Sequence, residues 1–267
     1  MRARLLVLCL VLLAGYLMLD RIVDSMIFFP EPGADLSPAD VGIAGEEVFL
    51  TTADGVRIHA WWLPADGAER AVLFLHGNAG NASHRLPNAA ELVRLGTSVL
   101  LLDYRGYGRS EGKPSEAGIY ADARAGLEHI TGERGISADR VAVFGRSLGG
   151  AVAIDLVSEQ PVGGLIIEST FTSRADMAGK LLPLGGSLAG DRYASERKIR
   201  EIRTPLLVFH GDRDDLVPWE LGRRLYEAAP EPKAFETIEG AGHNDTTLVG
   251  GPAYFQRIAR FLDETTG

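Results

Sequence analysis

One short segment, 141–149, predicts a serine held at a tight turn between a strand and a helix. The apolar run at 141–144 favours a buried strand, and the small and apolar residues at 150–157 favour a helix. The turn between them reads Gly-Arg-Ser-Leu-Gly. Glycines at both ends let the strand and the helix cross closely, because a Cβ there would collide. The segment therefore predicts a strained turn that exposes the hydroxyl of Ser147 above the edge of a sheet.

Apolar runs alternate with helical patterns along most of the chain. Candidate strands, most of them uniformly apolar as in a parallel sheet with both faces covered, lie at 71–75, 98–102, 140–144, 165–167, 206–209 and 233–238. Helical patterns lie at 84–95, 115–131, 149–159, 219–228 and 252–264. An Asp-Gly pair between strand patterns at 46–51 and 56–63 predicts an antiparallel hairpin. We therefore expect a three-layer α/β fold with a mostly parallel sheet and an antiparallel N-terminal hairpin.

A serine hydroxyl is a weak nucleophile at neutral pH and needs a base, usually a histidine that a carboxylate orients. Of the six histidines, His243 lies in a glycine-rich loop between the last predicted strand and the final helix. Glycines there would let the imidazole bend back over the sheet edge. His76 and His210 end apolar strands before a glycine, where we expect structural roles. His59 lies in the hairpin and His129 in a helix, away from the expected site, and His84 begins a helix.

The carboxylate is expected between serine and histidine in the chain, at the end of a strand. Three aspartates follow the predicted strand at 206–209: Asp212, Asp214 and Asp215. The residues alone do not decide which of them orients the histidine. The backbone N–H of Leu148, directly after the serine, is one candidate donor to an oxyanion.

Five motifs together resemble the α/β-hydrolase superfamily, over about residues 45–264. They lie at 76–81, 103–112, 145–149, 210–218 and 242–243. They look most like the membrane-anchored ABHD-type serine hydrolases, which are related to proline iminopeptidase-like enzymes and monoacylglycerol lipases. The loop at 103–112 is expected to be architectural. The resemblance implies an acyl-enzyme mechanism with no metal and no cofactor.

The resemblance also separates the candidate residues. In the pattern His-Gly-x-x-Asp-x-x-Val-Pro the aspartate corresponds to Asp214, with Asp215 as the alternative and Asp212 as a residue that braces the turn. The residue after His-Gly, Asn78, is implied as the second oxyanion donor through its backbone N–H. The expected triad is thus Ser147, Asp214 and His243.

The N-terminal segment is apolar enough to interact with a membrane. Arg2 and Arg4 precede a run without charge at 5–19, and apolar residues continue to 28. We expect an uncleaved signal-anchor, a transmembrane helix at 1–28, with a proline-rich linker at 29–45 and the catalytic domain at 46–267. The alternatives are a cleaved signal peptide, for which the sequence offers a poor cleavage site, and a buried helix. The two arginines predict that the domain faces outward, into a periplasmic, extracytoplasmic or lumenal space.

Charge and cysteine content limit the binding partners and the covalent cross-links that this chain can have. The net charge of −9 and the lack of a basic stripe make nucleic acid an unlikely partner. Cys9 is the single cysteine, which excludes an intramolecular disulfide and a cysteine-based zinc site. The sequence leaves the oligomeric state open.

The substrate is expected to be a carboxylic ester or thioester, and a membrane anchor would favour a lipid-like one. Amide or peptide cleavage is the alternative, and a non-catalytic, membrane-tethered binding protein is the rival from another class. The connection at 171–204 is too short for a large cap domain and is expected to form a short cap or lid, or else surface helices without a gating role.

Overall fold

The computed structural model describes residues 28–181 and 192–267, and within them eight strands form one sheet. The strands are β2 (Glu46–Thr51), β3 (Arg57–Leu63), β4 (Ala71–Leu75), β6 (Ser98–Leu102), β7 (Val141–Arg146), β8 (Gly164–Glu168), β9 (Leu206–Gly211) and β10 (Lys233–Ile238). Their order is β10-β9-β8-β7-β4-β6-β3-β2. The β2–β3 and β3–β6 pairs are antiparallel and the other pairs are parallel, which confirms the expected sheet.

Helices cover both faces of this sheet. They are α1 (Leu86–Arg94), α2 (Glu116–Glu128), α3 (Leu148–Glu159), α4 (Arg174–Leu181), α5 (Ser195–Ile199), α6 (Trp219–Ala228) and α7 (Thr246–Thr265). Along β7, Val141 and Val143 pack with the helices α2 and α3, whereas Ala142 and Phe144 pack with α1 and α7. Burial of each such side chain is worth about 1.5–3 kcal/mol. The expected three-layer α/β fold is confirmed.

Helix boundaries differ from the sequence-based expectation where local hydrogen bonds intervene. The helix predicted from residue 84 begins at Leu86, because Ala82–Arg85 forms a 3-10 turn whose start is capped by the Asn81 side chain. The last helix begins earlier than predicted, at Thr246, with a kink at Gly251, where φ is 53°.

The segment before β2 lies against the domain. Phe28 is buried in the core, and the short strand β1 (Phe29–Pro30) pairs in parallel with β5 (Ala79–Gly80). A 3-10 turn follows at Pro38–Val41. The predicted linker at 29–45 therefore packs against the domain, through the β1–β5 pairing and through Leu36, Val41 and Ile43.

The predicted anchor at 1–28 lies, apart from Phe28, outside the described residues. Within 28–181 and 192–267, no helix is both long and apolar enough to cross a bilayer. The predicted cap at 171–204 includes α4 and α5, and its middle part, 182–191, also lies outside the described residues.

Candidate active site

Ser147 occupies the turn between β7 and α3 in a left-handed backbone conformation, with φ 53° and ψ −118°. Such a conformation is costly for a residue with a Cβ and persists only where its surroundings fix it. Here the Ser147 N–H donates to the Glu168 carbonyl at 2.8 Å, and the Thr170 hydroxyl donates to the Ser147 carbonyl at 2.7 Å. A Cβ on Gly149 would lie 2.0 Å from the carbonyl oxygen of Leu75, so this crossing of helix and strand requires glycine.

Three predicted side chains meet in one chain of hydrogen bonds. His243 Nε2 lies 3.1 Å from Ser147 Oγ, and His243 Nδ1 lies 2.8 Å from Asp214 Oδ2. An ionised carboxylate can only accept, so Nδ1 carries the proton and Nε2 is free to accept one from the serine. All three residues are buried.

Asp214 is held as an ionised acceptor. Its Oδ1 accepts the backbone N–H groups of Leu216, at 3.0 Å, and Val217, at 2.7 Å. Burial alone would raise the pKa of Asp214, but hydrogen bonds from His210 and His243 outweigh it and hold the pKa well below its ordinary value. The carboxylate is thus negatively charged at neutral pH.

The two neighbouring acids are placed differently. Asp212 is exposed and accepts the Gly240 N–H at 2.6 Å, so it braces the loop that leads to His243. Asp215 is also exposed, whereas the Asp214 carboxylate contacts His243.

Asn78 and Leu148 line the same cleft as Ser147 and His243. The first N–H groups of a helix have no partner within the helix, and Leu148 is the first residue of α3. The Asn78 carbonyl accepts the Tyr107 hydroxyl at 2.7 Å, and its side-chain Oδ1 accepts the Phe29 N–H at 3.2 Å. These contacts fix the orientation of the loop that carries Asn78. The role of the Asn78 and Leu148 backbone N–H groups as oxyanion donors stays a prediction.

The loop at 103–112 packs against the loop at 76–81, which carries Asn78. The Tyr104 hydroxyl donates to the His76 carbonyl at 2.9 Å. Asp103 accepts the Ala82 N–H at 2.7 Å and lies 2.8 Å from His59 Nδ1. The contacts are those of a scaffold beneath the loop at 76–81.

A buried ionic cluster, absent from the sequence-based prediction, adjoins the triad. Arg146 Nε donates to Glu168 Oε1 at 2.8 Å, and Arg146 also donates to the His243 carbonyl. Glu168, fully buried, accepts the Thr246 hydroxyl at 2.7 Å and the Tyr254 hydroxyl as well. The signal was present in the sequence: opposite charges end the neighbouring strands β7 and β8, where Arg146 and Glu168 are register partners.

The cleft above Ser147 has a volume of about 440 Å³. Its walls are mainly apolar, from side chains such as Phe29, Phe171, Met177 and Leu216. Three arginines also line it: Arg85, Arg146 and Arg174. Among the described residues, no aspartate or glutamate lines the cleft.

In the described part of the chain, three potential metal ligands, Glu31, Asp35 and His84, lie together at the surface. His84 Nε2 is 2.6 Å from Asp35 Oδ2, an ion-pair geometry that needs no metal. The cluster by itself does not indicate a metal centre.

Comparison with known families agrees with this fold. Residues 66–192 match the family described as "Serine aminopeptidase, S33". Over 245 residues the chain is 43% identical to an uncharacterised protein of Mycobacterium tuberculosis strain H37Rv, covering 90% of this chain and 87% of that protein. It is 37% identical over 282 residues to the alpha/beta hydrolase domain-containing protein WAV2 of Arabidopsis thaliana, covering 95% and 92%.

Among solved structures, the esterase Pf2001 of Pyrococcus furiosus superimposes with a TM-score of 0.75. The two chains are 26% identical, and the match covers 90% of this chain and 100% of the esterase.

Proposed function

Because this chain belongs to the α/β-hydrolase superfamily, we propose that it is a serine hydrolase that cleaves a carboxylic ester or thioester. The observation that carries the proposal is the chain of hydrogen bonds from Asp214 through His243 to Ser147. The strained serine at its end is fixed by neighbouring hydrogen bonds, as a preorganised nucleophile requires.

The proposed reaction has two halves. Ser147 Oγ attacks the acyl carbonyl carbon while His243 Nε2 takes the hydroxyl proton, and the N–H groups of Leu148 and Asn78 hold the resulting oxyanion. The bond to the leaving group then breaks, and His243 returns the proton to it. In the second half, water gives a proton to His243 and attacks the acyl-enzyme. The acid leaves, and Ser147 regains its proton.

Asp214 takes no proton in this scheme. Its lowered pKa keeps it ionised, so it stabilises the positive charge that forms on His243 and holds the ring in the productive tautomer.

The cleft favours an ester or thioester over the amide of an aminopeptidase substrate. An aminopeptidase must hold a free ammonium group, for which a carboxylate is the usual partner. Among residues 28–181 and 192–267 no carboxylate lines the cleft. Amide cleavage is nevertheless the second candidate, because the matched family is described as a serine aminopeptidase.

A fluorophosphonate probe tests the enzyme proposal. The wild-type protein should be labelled, and Ser147→Ala should not be. Equal labelling of both proteins, or none of the wild type, would leave a non-catalytic binding protein as the better explanation. p-Nitrophenyl esters of increasing acyl length and an amino-acid p-nitroanilide then separate esterase from aminopeptidase activity.

We also propose that residues 1–27 anchor the enzyme in a membrane with its domain outside the cytoplasm; the predicted boundary at 28 is one residue too far, because Phe28 is buried in the core of the domain. The uncharged run at 5–19, preceded by Arg2 and Arg4, supports this topology. Full-length chain should stay with membranes after carbonate extraction, and protease should reach the domain from the outer side only. Release of intact, full-length chain by carbonate would refute the anchor.

A further inference from the structure

Arg85 is a cation at the wall of the catalytic cleft. It ends the 3-10 turn Ala82–Arg85, which follows the loop carrying Asn78, and it lines the cleft together with Ser147. The side chain is half-buried, and its Nε is enclosed by protein.

Among the described residues, no carboxylate forms an ion pair with this guanidinium. Within residues 28–181 and 192–267, Arg85 forms no ion pair, and its Nε has no hydrogen-bond acceptor. Arg146, in the same cleft, differs because Glu168 pairs with it. Glu168 also attracts Arg85, but both its carboxylate oxygens already accept hydrogen bonds, from Arg146, Thr246 and Tyr254.

Arg85 therefore differs in its charge environment from the arginine beside it. Arg146 is paired with Glu168, whereas Arg85 has no ion-pair partner among the described residues. Burial, reinforced by the charge on Arg146, lowers the pKa of Arg85 to about 10, so the group is still cationic at neutral pH. A partly desolvated cation without a counter-charge is unfavourable, and an anion in the cleft would relieve that cost.

The rest of the cleft accommodates an acyl group. Apolar side chains such as Phe171 and Met177 form much of its wall. Its volume, about 440 Å³, is within the range of sites that hold a single small molecule. One ligand can therefore contact both Ser147 and Arg85.

We propose that the substrate of this enzyme is an ester or thioester with an anionic group, a carboxylate or a phosphate, that pairs with Arg85 while its acyl carbonyl lies at Ser147. This inference rests on the proposed hydrolase function. A planar guanidinium suits either anion, because it donates two parallel hydrogen bonds to two oxygens.

Two matched pairs of substrates test the proposal and distinguish the source of the anion. In the first, p-nitrophenyl hemiglutarate is compared with its neutral carboxamide analogue, so that the charge is on the acyl chain. In the second, a butyryl ester of glycerol 3-phosphate is compared with monobutyryl glycerol, so that the charge is on the leaving group. Wild-type kcat/KM should favour the anionic member of at least one pair by ~10-fold or more.

The variant Arg85→Gln should lose this preference, with the anionic substrate losing ~10-fold or more and the neutral one changing less than about threefold. Arg85→Lys should keep part of the preference. Arg94→Gln is the matched control, since it removes an exposed arginine that is paired with Glu91 from the adjacent helix. It should behave as the wild type.

Three results would overturn the proposal: no preference for either anion in the wild type, a preference unchanged in Arg85→Gln, or equal losses on charged and neutral esters. Fluorophosphonate labelling separates this failure from that of the proposed function. If Ser147-dependent labelling persists without a preference for anions, only the role of Arg85 is refuted. If the wild type is not labelled, both the hydrolase function and the role of Arg85 are refuted.

Discussion

Arg146 Nε lies 2.8 Å from Glu168 Oε1, and both side chains are buried beneath the candidate catalytic triad. Arg146 precedes Ser147, and its guanidinium also reaches the carbonyl of His243 and, at 3.1 Å, Asn244 Oδ1. The pair therefore ties the serine turn to the loop that carries the histidine. A cluster of this kind fixes the distance between two residues that are far apart in the chain.

Removal of the charge on Glu168 should destabilise the folded protein and lower its catalytic turnover. In Glu168→Gln the buried Arg146 loses its counter-charge, so we expect the free energy of unfolding to fall by about 3 kcal/mol. Turnover of a p-nitrophenyl ester should fall by ~10-fold, because the loop with His243 is less well held. Urea unfolding and steady-state kinetics measure both. Glu69→Gln, which removes the exposed partner of Arg140, should change neither.

The choice of carboxylate is tested by two neighbouring substitutions. Asp214→Asn should lower kcat by ~10⁴-fold, because the amide cannot stabilise the charged form of His243 or hold its productive tautomer. Asp215→Asn should retain kcat within about threefold, since surface substitutions have small effects. Turnover of a p-nitrophenyl ester measures both variants. A larger loss of kcat in Asp215→Asn than in Asp214→Asn would assign the role to Asp215.

His76 should make the fold sensitive to acid. Its side chain is fully buried, and burial lowers its pKa from 6.5 to about 4, against the opposing attraction of Asp103. Between these pH values the unfolded chain binds a proton that the folded chain does not, so stability falls as the pH falls. The loss from pH 7 to pH 5 is about 2 kcal/mol for this group.

Urea unfolding at the two pH values checks this. In His76→Gln the difference between pH 7 and pH 5 should shrink by about 2 kcal/mol, whatever the overall stability of the variant. An unchanged difference would assign the acid sensitivity to other groups.

The crossing of α3 over the sheet should not tolerate a methyl group. Gly149→Ala would place a Cβ 2.0 Å from a backbone carbonyl oxygen, which cannot move aside without displacing β4. We expect a loss of about 3 kcal/mol or more in thermal or urea unfolding. Gly132→Ala is the control: its Cβ would meet nothing within 4 Å, and the variant should be as stable as the wild type.

Local patterns predicted the central part of the fold. The strands β4 and β6 coincide with their apolar runs, since burial on both faces leaves an uninterrupted apolar sequence. The turn at Ser147 was equally readable, because its glycines and its serine are adjacent in the chain. The contacts of the serine with His243 and Asp214 were expected from chain order and resemblance, and the structure brings the three side chains together.

The features that sequence reasoning missed depend on contacts between distant segments. Glu168 meets Thr246 and Tyr254 across 78 and 86 residues, and no local pattern encodes those distances. Arg85 is similar, since only the folded structure reveals that a half-buried cation lines the cleft with no ion-pair partner among the described residues. The segment at 29–45 has the proline content of a linker, but Val41 within it and Phe28 directly before it pack against the core.

The pairing of β1 with β5 also bears on how the enzyme should be produced. A recombinant chain that begins at residue 46, the predicted domain boundary, would lose the Phe29 wall of the cleft and the N–H that Asn78 accepts. Poor activity in such a truncation could then be misread as a requirement for lipid. A truncated chain that begins at Phe28 retains the pairing of β1 with β5. Its activity therefore separates the effect of membrane attachment from damage to the cleft.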